Sequence, residues 1–550
     1  MLILLRRRLW YDFRMELKRL DAEDLDLVIK TLKEFCAREA PLDKRLKWDA
    51  EDHCPVDVVK AMLGPEVGLH LVFLPAECDG MGGGAWDVYR MSCEFAKIDL
   101  GLATAMLAVA LGSDPIRVGC TPDQHVKWLS RIANEGLIVA YGVTEPGAGS
   151  NVQSLATIAE RITNDAGAIT HYRLNGVKQF ISNGSIAHLY TILARTPDGP
   201  TFFIVERDTP GLSSGKHEVK HGIRLSDTAQ VLLQDVIVPA ENLVGAAEGL
   251  GLKQANEVFG YTRLMVAAFG LGAGLSALEK AIAFSKERKQ FGELLREKQG
   301  YTHKLLVPHS VRLAAAQAYI EYTADLLDGS TQDRQVEGSV SKLFATEAGN
   351  MAADAAVQAL GGYGYCVDYE VEKIRRDARI LTIYEGTSEI QQNIIGVFRM
   401  RDNVRSKGKF YETQAAEVEG MTEVGGPAVA RAARFLSEAT IRAFRAKLTH
   451  QQFVVFEFAT SMTEVETAVA LVRAASRSGN ALLKAQARAW ASEVALSVPT
   501  RLLSVLSSSG GLSVDDFEAL KVLGDIDAAL ASQAGRFADL NFIAKTITAD

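Results

Sequence analysis

His171-Tyr-Arg-Leu-Asn-Gly-Val-Lys-Gln-Phe-Ile-Ser182 reads as two β-type runs about an Asn175-Gly176 turn, the strongest short hairpin signal. It lies in a stretch, from about residue 137 to 245, where further β-type runs recur at 189–193, 202–205 and 231–238. Together they predict an antiparallel β-domain of roughly a hundred residues. On both sides the pattern is helical. Before the β-stretch, Leu25, Val28, Ile29, Leu32 and Phe35 recur at three- and four-residue steps, as on an amphipathic helix. Similar stretches cover 56–63, 86–95, 102–111 and 124–132, two of them separated by a Gly-rich turn at 78–84. After it, a long helix is predicted through Val258, Leu264, Val266, Leu271 and Ala281 to Glu287, then helices over 301–327, 340–360 and 388–402. The expected class is multidomain α+β. Residues 1–20 are expected to be a disordered tail, with Met15 a candidate start, and 21–136 an N-terminal helical domain. The β-domain takes 137–246, a helical bundle 247–408, and an additional Ala-rich helical domain 409–550.

At 550 residues one hydrophobic core is not expected. Hydrophobic residues at 48% and charged residues at 23% exclude a largely disordered chain, and no apolar run reaches the roughly 20 residues of a membrane span. Acidic residues outnumber basic ones, 68 to 60, for a formal charge of −8, the wrong sign for a general nucleic-acid binder. Cys36, Cys54, Cys78, Cys93, Cys120 and Cys366 form no CxxC, so neither a disulfide framework nor a metal site is expected. A reducing compartment is, the bacterial cytoplasm first and the mitochondrial matrix second. The apolar Met1-Leu-Ile-Leu-Leu5 precedes Arg6-Arg7-Arg8, the reverse of a signal peptide.

Three runs carry chemistry. Tyr141-Gly-Val-Thr-Glu-Pro-Gly-Ala-Gly-Ser150 joins Pro146, Gly147 and Gly149, which allow close backbone approach, to the hydroxyls of Thr144 and Ser150; alone it fits a tight turn equally well. In Arg288-Lys-Gln-Phe-Gly292 the arginine suits a diphosphate and Phe291 a flat ring. The plain alternative is a basic helix C-terminus capped by Gly292. The third comprises Gln358-Ala-Leu-Gly-Gly-Tyr-Gly-Tyr365, Arg375-Arg-Asp-Ala-Arg379 and Ile383-Tyr-Glu-Gly-Thr-Ser-Glu-Ile390. Glu385 stands just before a predicted helix start capped by Thr387 or Ser388. A carboxylate at such an apolar turn is open to the pKa tuning a general base needs; the alternative is service to the helix dipole. Gly270-Leu-Gly-Ala-Gly274 hints at a dinucleotide loop, but it continues a helical pattern, so close helix packing is expected.

In order and spacing these runs resemble the acyl-CoA dehydrogenase family from about Leu20 to Met400, together with Ser226-Asp-Thr228 and Asp235-Val-Ile-Val-Pro-Ala-Glu-Asn242. The resemblance implies two helical domains flanking a central β-domain, with FAD between the β-domain and the C-terminal bundle. It implies that Tyr141, Val143, Thr144, Gly149 and Ser150 line the flavin, Ser150 also near the CoA thioester. Phe180, Ile181 and Ser182 match the aromatic-X-Ser/Thr strand beside the isoalloxazine ring. Arg288, Gln290, Phe291 and Gln299, with Gln358, Gly361 and Gly362, would come from the neighbouring subunit of a homodimer. Thr387 and Glu389 match adenine-side contacts, Glu389 replacing a glutamine of some members. Arg263 matches an arginine near the CoA phosphates, while Gly260 stands where some members have aspartate. Glu385 matches the catalytic base and Gly386 its substrate-contacting neighbour. Some members place the base near Arg263, where Gly260, Tyr261 and Thr262 offer no carboxylate. The region from Lys409 resembles the extension of very-long-chain members, which implies a homodimer with the extension packed on its own subunit.

The implied reaction is FAD-dependent α,β-dehydrogenation of an acyl-CoA thioester to the trans-2-enoyl-CoA. A thioester α-proton is weakly acidic, so the reaction needs a positioned carboxylate and a stabilised enolate-like oxygen. The backbone N–H of Glu385 and a ribityl hydroxyl would serve that oxygen, and burial would raise the Glu385 pKa towards neutrality. Hydride would pass to flavin N5, and electrons onward to an electron-transfer flavoprotein. An acyl-CoA oxidase and a non-catalytic flavoprotein scaffold are the competing readings; a flavin monooxygenase normally lacks the glutamate. The length, branching or ring character of the acyl group is not legible. In the extension, Arg431, Arg434, Arg442, Arg445 and Lys447 interleave with Phe435, Leu436, Ile441, Phe444 and Leu448. That pattern fits a membrane-surface helix; the favoured expectation is a helix whose apolar side packs in the bundle and whose arginines are solvated.

Overall fold

The structure, a computed structural model, describes residues 17–329 and 332–550, and of Phe259 and Gly260 the helical backbone alone. The expectations for residues 1–16 and for an aspartate missing at Gly260 lie outside the described residues. Two compact units are present, Met1–Met265 with Leu327–Asp333, and Val266–Leu326 with Arg334–Asp550.

In the first unit, helices α1 (Ala22–Glu39), α2 (Leu42–Ala50), α3 (Val56–Leu63), α4 (Ala85–Ile98), α5 (Leu100–Gly119) and α6 (Pro122–Glu135) precede the strands. The five apolar residues that predicted α1 are all buried in it. Local chemistry sets the ends of α6: Thr121 and Gln124 form a capping box, Pro122 opens the helix, and Gly136 closes it at φ +62°. Lys18 and Leu20, at the end of the expected tail, are hydrogen-bonded to the rest of the first unit. The Lys18 N–H donates to the Gly82 carbonyl and the Leu20 N–H to Asp87, each at 2.8 Å, and side-chain-free Gly84 lets the chain lie alongside, since a Cβ there would stand 3.0 Å from the Arg19 nitrogen.

The strands are β1 (Val139–Gly142), β2 (Ile158–Thr163), β3 (Ile169–Ser182), β4 (Leu189–Thr196), β5 (Gly199–Glu206), β6 (Leu212–His217) and β7 (Thr228–Pro239). They form one sheet in the order β1-β4-β2-β3-β7-β6, with β5 paired to β4. The sheet is mixed rather than antiparallel. β1 pairs with β4 in parallel, and the long excursion through β2 and β3 supplies the crossover such a pair needs. Helix α5 lies directly on the sheet: a Cβ at Gly112 would stand 2.7 Å from Val139, and the Thr191 hydroxyl donates to the Gly112 carbonyl.

The expected hairpin at Asn175-Gly176 is absent, because β3 runs unbroken through both residues. Asp235 on β7 sits at φ +53° in a bulge. Asn175 fills that bulge, donating to the Asp235 carboxylate at 3.1 Å and accepting from the Asp235 N–H at 2.8 Å. Gly176 is required by space, since a Cβ there would meet the Thr157 hydroxyl at 2.3 Å. The two residues that make good turns here serve a bulge and a close approach.

Helix α7 (Gly251–Glu287) runs from the first unit into the second. By length and composition it is apolar enough to cross a membrane, contrary to the expectation that no run is, but 88% of its apolar window is buried, as in a core helix. The second unit continues with β8 (Lys289–Gln290), β9 (Glu293–Leu294), α8 (Gln299–Leu305), α9 (Val307–Asp328), α10 (Gln335–Leu360), α11 (Gly362–Tyr365), α12 (Glu370–Ala378) and α13 (Ser388–Arg405). Gly270 and Gly274 do pack a helix: α7 crosses α10 with a Cβ at Gly349 falling 2.1 Å from the Gly270 carbonyl oxygen. Gly349→Val is expected to cost more than the about 1–3 kcal/mol of ordinary overpacking, since main chain must move. A denaturation midpoint equal to wild type would contradict this.

The extension forms α14 (Lys409–Glu419), α15 (Gly426–Arg445), α16 (Gln452–Arg477), α17 (Ala481–Ser509), α18 (Val514–Gly524), α19 (Ile526–Ala531) and α20 (Arg536–Ile547). It packs within the second unit through a buried ion pair. Arg399 on α13 donates from Nε and Nη2 to the Glu466 carboxylate on α16 at 2.8 and 3.0 Å. The Tyr319 hydroxyl on α9 donates to the same carboxylate at 2.7 Å, and that of Tyr411 on α14 at 3.4 Å. On α15, Phe435 and Leu436 are buried. Arg434 pairs with Glu412 and Glu419, and Arg442 with Glu438 and Asp516. Arg434 and Arg442 thus face carboxylates of the extension itself where solvated arginines were expected, and Phe444, expected on the packed side, is 46% exposed.

Candidate active site

The first unit holds residues 141–150, residues 180–182 and Arg263. Beyond β1 the chain makes a tight reversal in which Glu145 and Ala148 exchange main-chain hydrogen bonds, both 3.1 Å. A Cβ at Gly147 or Gly149 would meet nothing within 4 Å, so this rim is open to a ligand. The rim is fixed from behind. Lys178 Nζ, wholly buried, donates to Glu145 at 2.6 Å, to the Leu193 carbonyl at 2.6 Å and to the Val143 carbonyl at 3.3 Å. Glu145 also accepts from the Ala156 and Thr157 N–H groups. Burial lowers the Lys178 pKa to about 8 against the pull of Glu145. Burial pushes Glu145 the other way, but the Lys178 and Thr157 hydrogen bonds outweigh it and hold that carboxylate below its usual range.

The Gln179 N–H donates to the Thr144 carbonyl at 2.9 Å, which brings the end of β3 beside the rim. There the register slips between Lys178 and Ile181. Phe180 adopts φ +58° and its ring is 63% exposed. A bulky residue in the left-handed region of a strand, with its ring in the open, is a strained arrangement of the kind that marks functional sites. Val143 and Ile181 are buried, so they offer a ligand main-chain groups and not side chains. Tyr141, Thr144 and Ser182 are half-buried, and Gly149 and Ser150 exposed. Asp227 holds the turn after Ser182, accepting from the Ser185 N–H and hydroxyl at 2.8 Å each. Arg263 is enclosed on α7 and only 4% exposed.

The second unit presents two clusters. Residues 288–294 form a hairpin and not a capped helix end: β8 and β9 are joined by Phe291 and Gly292 at φ +53° and +84°, the two left-handed residues of a type I′ turn. Gly292 ends no helix. Phe291 is 96% exposed. The Arg288 guanidinium lies 5.6 Å from the Tyr363 ring centroid, so the hairpin meets the end of α10, where Gln358, Gly361 and Gly362 are exposed. Side chains at both glycines would meet nothing.

The other cluster is the Glu385 turn. Glu385 and Gly386 are consecutive left-handed residues, φ +53° and +88°. Thr387 caps α13, its hydroxyl accepting from the Ile390 N–H at 3.3 Å. Gln391 donates to the carbonyls of Glu385 and Gly386 at 3.0 Å each, and buried Lys342 donates to that of Gly386 at 2.7 Å. The Ser388 hydroxyl donates to Glu347 at 2.6 Å. Glycine suits position 386 because its φ is +88°, and a Cβ there would also push aside the Gln391 amide that braces the turn. The turn is thus pinned by its carbonyls, and Glu385 within it is half-buried. Glu389 is exposed in the first turn of α13 and held below the usual glutamate range by its own N–H and the Thr387 hydroxyl.

Residues 22–136, 140–236 and 249–398 match, in turn, the N-terminal, middle and C-terminal domains of acyl-CoA dehydrogenases. The chain belongs to the acyl-CoA dehydrogenase family. A cyclohexane-1-carbonyl-CoA dehydrogenase of Syntrophus aciditrophicus is 36% identical over 336 residues, 60% of this chain and 85% of that one. The butyryl-CoA dehydrogenase of Megasphaera elsdenii superposes with a TM-score of 0.62 at 32% identity, covering 68% of this chain and 97% of its own. An acyl-CoA dehydrogenase of Bacillus anthracis complexed with FAD shares the fold over 96% of this chain and 95% of its own, at TM-score 0.82 and 23% identity. That likeness of fold therefore includes the extension. The chain is an acyl-CoA dehydrogenase family enzyme and FAD is its cofactor. Within the first unit, the open glycines at 147 and 149 and the exposed Phe180 fit a flat, phosphate-bearing group.

Sequence reasoning assigned no role to Glu145, Lys178, Lys342 and Gln391, although Glu145 stands within the 141–150 run and Lys178 on the strand that carries Phe180. One signal was present: Lys178 has the same strand parity as inward-facing Tyr172 and Leu174, and a buried lysine requires a partner.

Proposed function

We propose that the chain oxidises an acyl-CoA thioester to its trans-2-enoyl-CoA, with Glu385 taking the α-proton. The observation that carries this reading is the Glu385 turn, strained into two left-handed residues and pinned by Gln391 and Lys342. Such bracing holds a carboxylate at fixed reach, which a general base requires. FAD, when bound, accepts the hydride from the β-carbon. Residues 141–150 and 180–182 would hold the flavin, Thr387 and Glu389 the adenine side, Ser150 and Gly386 the thioester end, and Arg263 the CoA phosphates. The Glu385 N–H would stabilise the enolate-like oxygen as the α-proton leaves.

A homodimer is part of the proposal. Exposed Phe291 at positive φ costs on the order of 1–2 kcal/mol, which contact with a second subunit would offset. Arg288, Gln290, Gln299, Gln358, Gly361 and Gly362 would approach the FAD of that subunit. Light scattering is expected to give a dimer, and a monomer or tetramer overturns this. An electron-transfer flavoprotein is the proposed acceptor, in a reducing compartment that suits six free thiols.

The test is anaerobic titration of the yellow protein with straight, branched, dicarboxylic and cyclic acyl-CoAs. Bleaching of the flavin by one class names the substrate; bleaching by none refutes the reading. Stoichiometric peroxide under air would assign an oxidase instead.

A further inference from the structure

Five contacts from the end of the extension converge on the short segment between Lys286 and His303. Asn541 on α20 accepts from the Gln299 side-chain amide at 2.9 Å. Arg296 donates to the Thr548 carbonyl at 3.1 Å and pairs with the Asp550 carboxylate. Lys286 donates to the Ala549 carbonyl, and the Phe537 ring lies 5.6 Å from the His303 ring. All lie within the second unit.

The segment they hold has little means of holding itself. Its strands are two residues each, and an isolated hairpin of that size is not stable in water. Its turn places Phe291 in the left-handed region with the ring in solvent. Its own ties include the Leu295 N–H to the Arg288 carbonyl, the Leu294 N–H to the Glu297 carboxylate and Lys298 to Glu293, each at 2.9 Å. Exposed contacts are individually weak; five on one 18-residue stretch restrict where it can point.

We propose that Asn541, Thr548 and Asp550 are positioning residues that hold the 288–299 segment in the orientation in which it reaches the FAD of a second subunit. This rests on the reading that the segment contributes to that FAD site. The extension is thereby coupled to the cofactor of the partner and not only to the stability of its own subunit.

The test uses the full-length protein. Asn541→Ala/Asp550→Ala is compared with wild type for apparent FAD affinity, by recovery of flavin binding in the deflavinated protein, and for kcat at saturating FAD. Asp550→Glu serves as the conservative variant and Arg288→Ala as the control for the underlying reading. The double variant is expected to bind FAD about five- to tenfold more weakly, the sum of two exposed contacts, with kcat and the denaturation midpoint unchanged. Asp550→Glu is expected to keep wild-type affinity. Wild-type affinity in the double variant, with weakened binding in Arg288→Ala, overturns the inference and leaves the site reading standing. Wild-type affinity in both overturns both. Lost kcat with intact FAD affinity also refutes a positioning role.

Discussion

Glutamine at position 385 is expected to leave a folded, yellow protein that binds acyl-CoA but reduces its flavin about 10²–10⁴-fold more slowly, the contribution typical of a positioned general base. Glutamine keeps the size of glutamate while removing its charge and its capacity to accept a proton. The contacts that hold the turn come from the carbonyls of residues 385 and 386 to Gln391 and Lys342, so the substitution touches none of them. Stopped-flow reduction under saturating acyl-CoA reads the effect directly. A near-normal rate would mean that another group takes the α-proton, and flavin loss would mean that Glu385 supports the fold instead.

Glu466→Ala is expected to destabilise the second unit by about 3–5 kcal/mol, the usual cost of breaking a buried ion pair from one side. The Arg399 guanidinium would stay enclosed with the more exposed Glu337 at 3.2 Å, Asp402 at 4.0 Å and the ring of Phe410 beside it, and the Tyr319 hydroxyl would lose its acceptor. The denaturant midpoint reports the loss; a change below about 1 kcal/mol, the level of a surface pair, would refute it. Glu466→Leu with Arg399→Met is expected to regain most of it, since an apolar replacement leaves no charge stranded. The same cluster predicts an alkaline limit. Burial first, then the Glu466 charge, raises the pKa of Tyr319 and Tyr411 well above the ordinary tyrosine value of about 10. The folded state therefore retains protons that the unfolded state releases. Stability is complete below about pH 10 and falls as pH climbs from there towards the raised values.

The helical parts were legible because their signals are local. Apolar spacing gave α1, and the Thr121-Pro122-Gln124 cap with Gly136 marks both ends of α6 within one turn of chain. The Glu385 turn was legible for a similar reason: a carboxylate, a glycine and a capping threonine stand in immediate succession. Asn175-Gly176 misled because its preference for a turn is local, while its role depends on Asp235 and Thr157, far off in sequence. Arg288–Gly292 misled likewise, since a glycine past a helix caps it unless the next residues find strand partners.

Sequence alone determined the helical–β–helical order and the acyl-CoA dehydrogenase likeness, because periodicity, caps and contiguous motifs are properties of neighbours along the chain. Tertiary structure alone decided that Lys178 is buried against Glu145, that Phe180 is turned outward at a register slip, that Lys342 and Gln391 brace Glu385, and that Arg399 locks onto Glu466. Apart from the Gln391 contact, six positions from Glu385, these are electrostatic or steric matches between residues tens of positions apart, or follow from one. A charge or a polar group can satisfy it only where the fold has removed water, and no local pattern states where that will be.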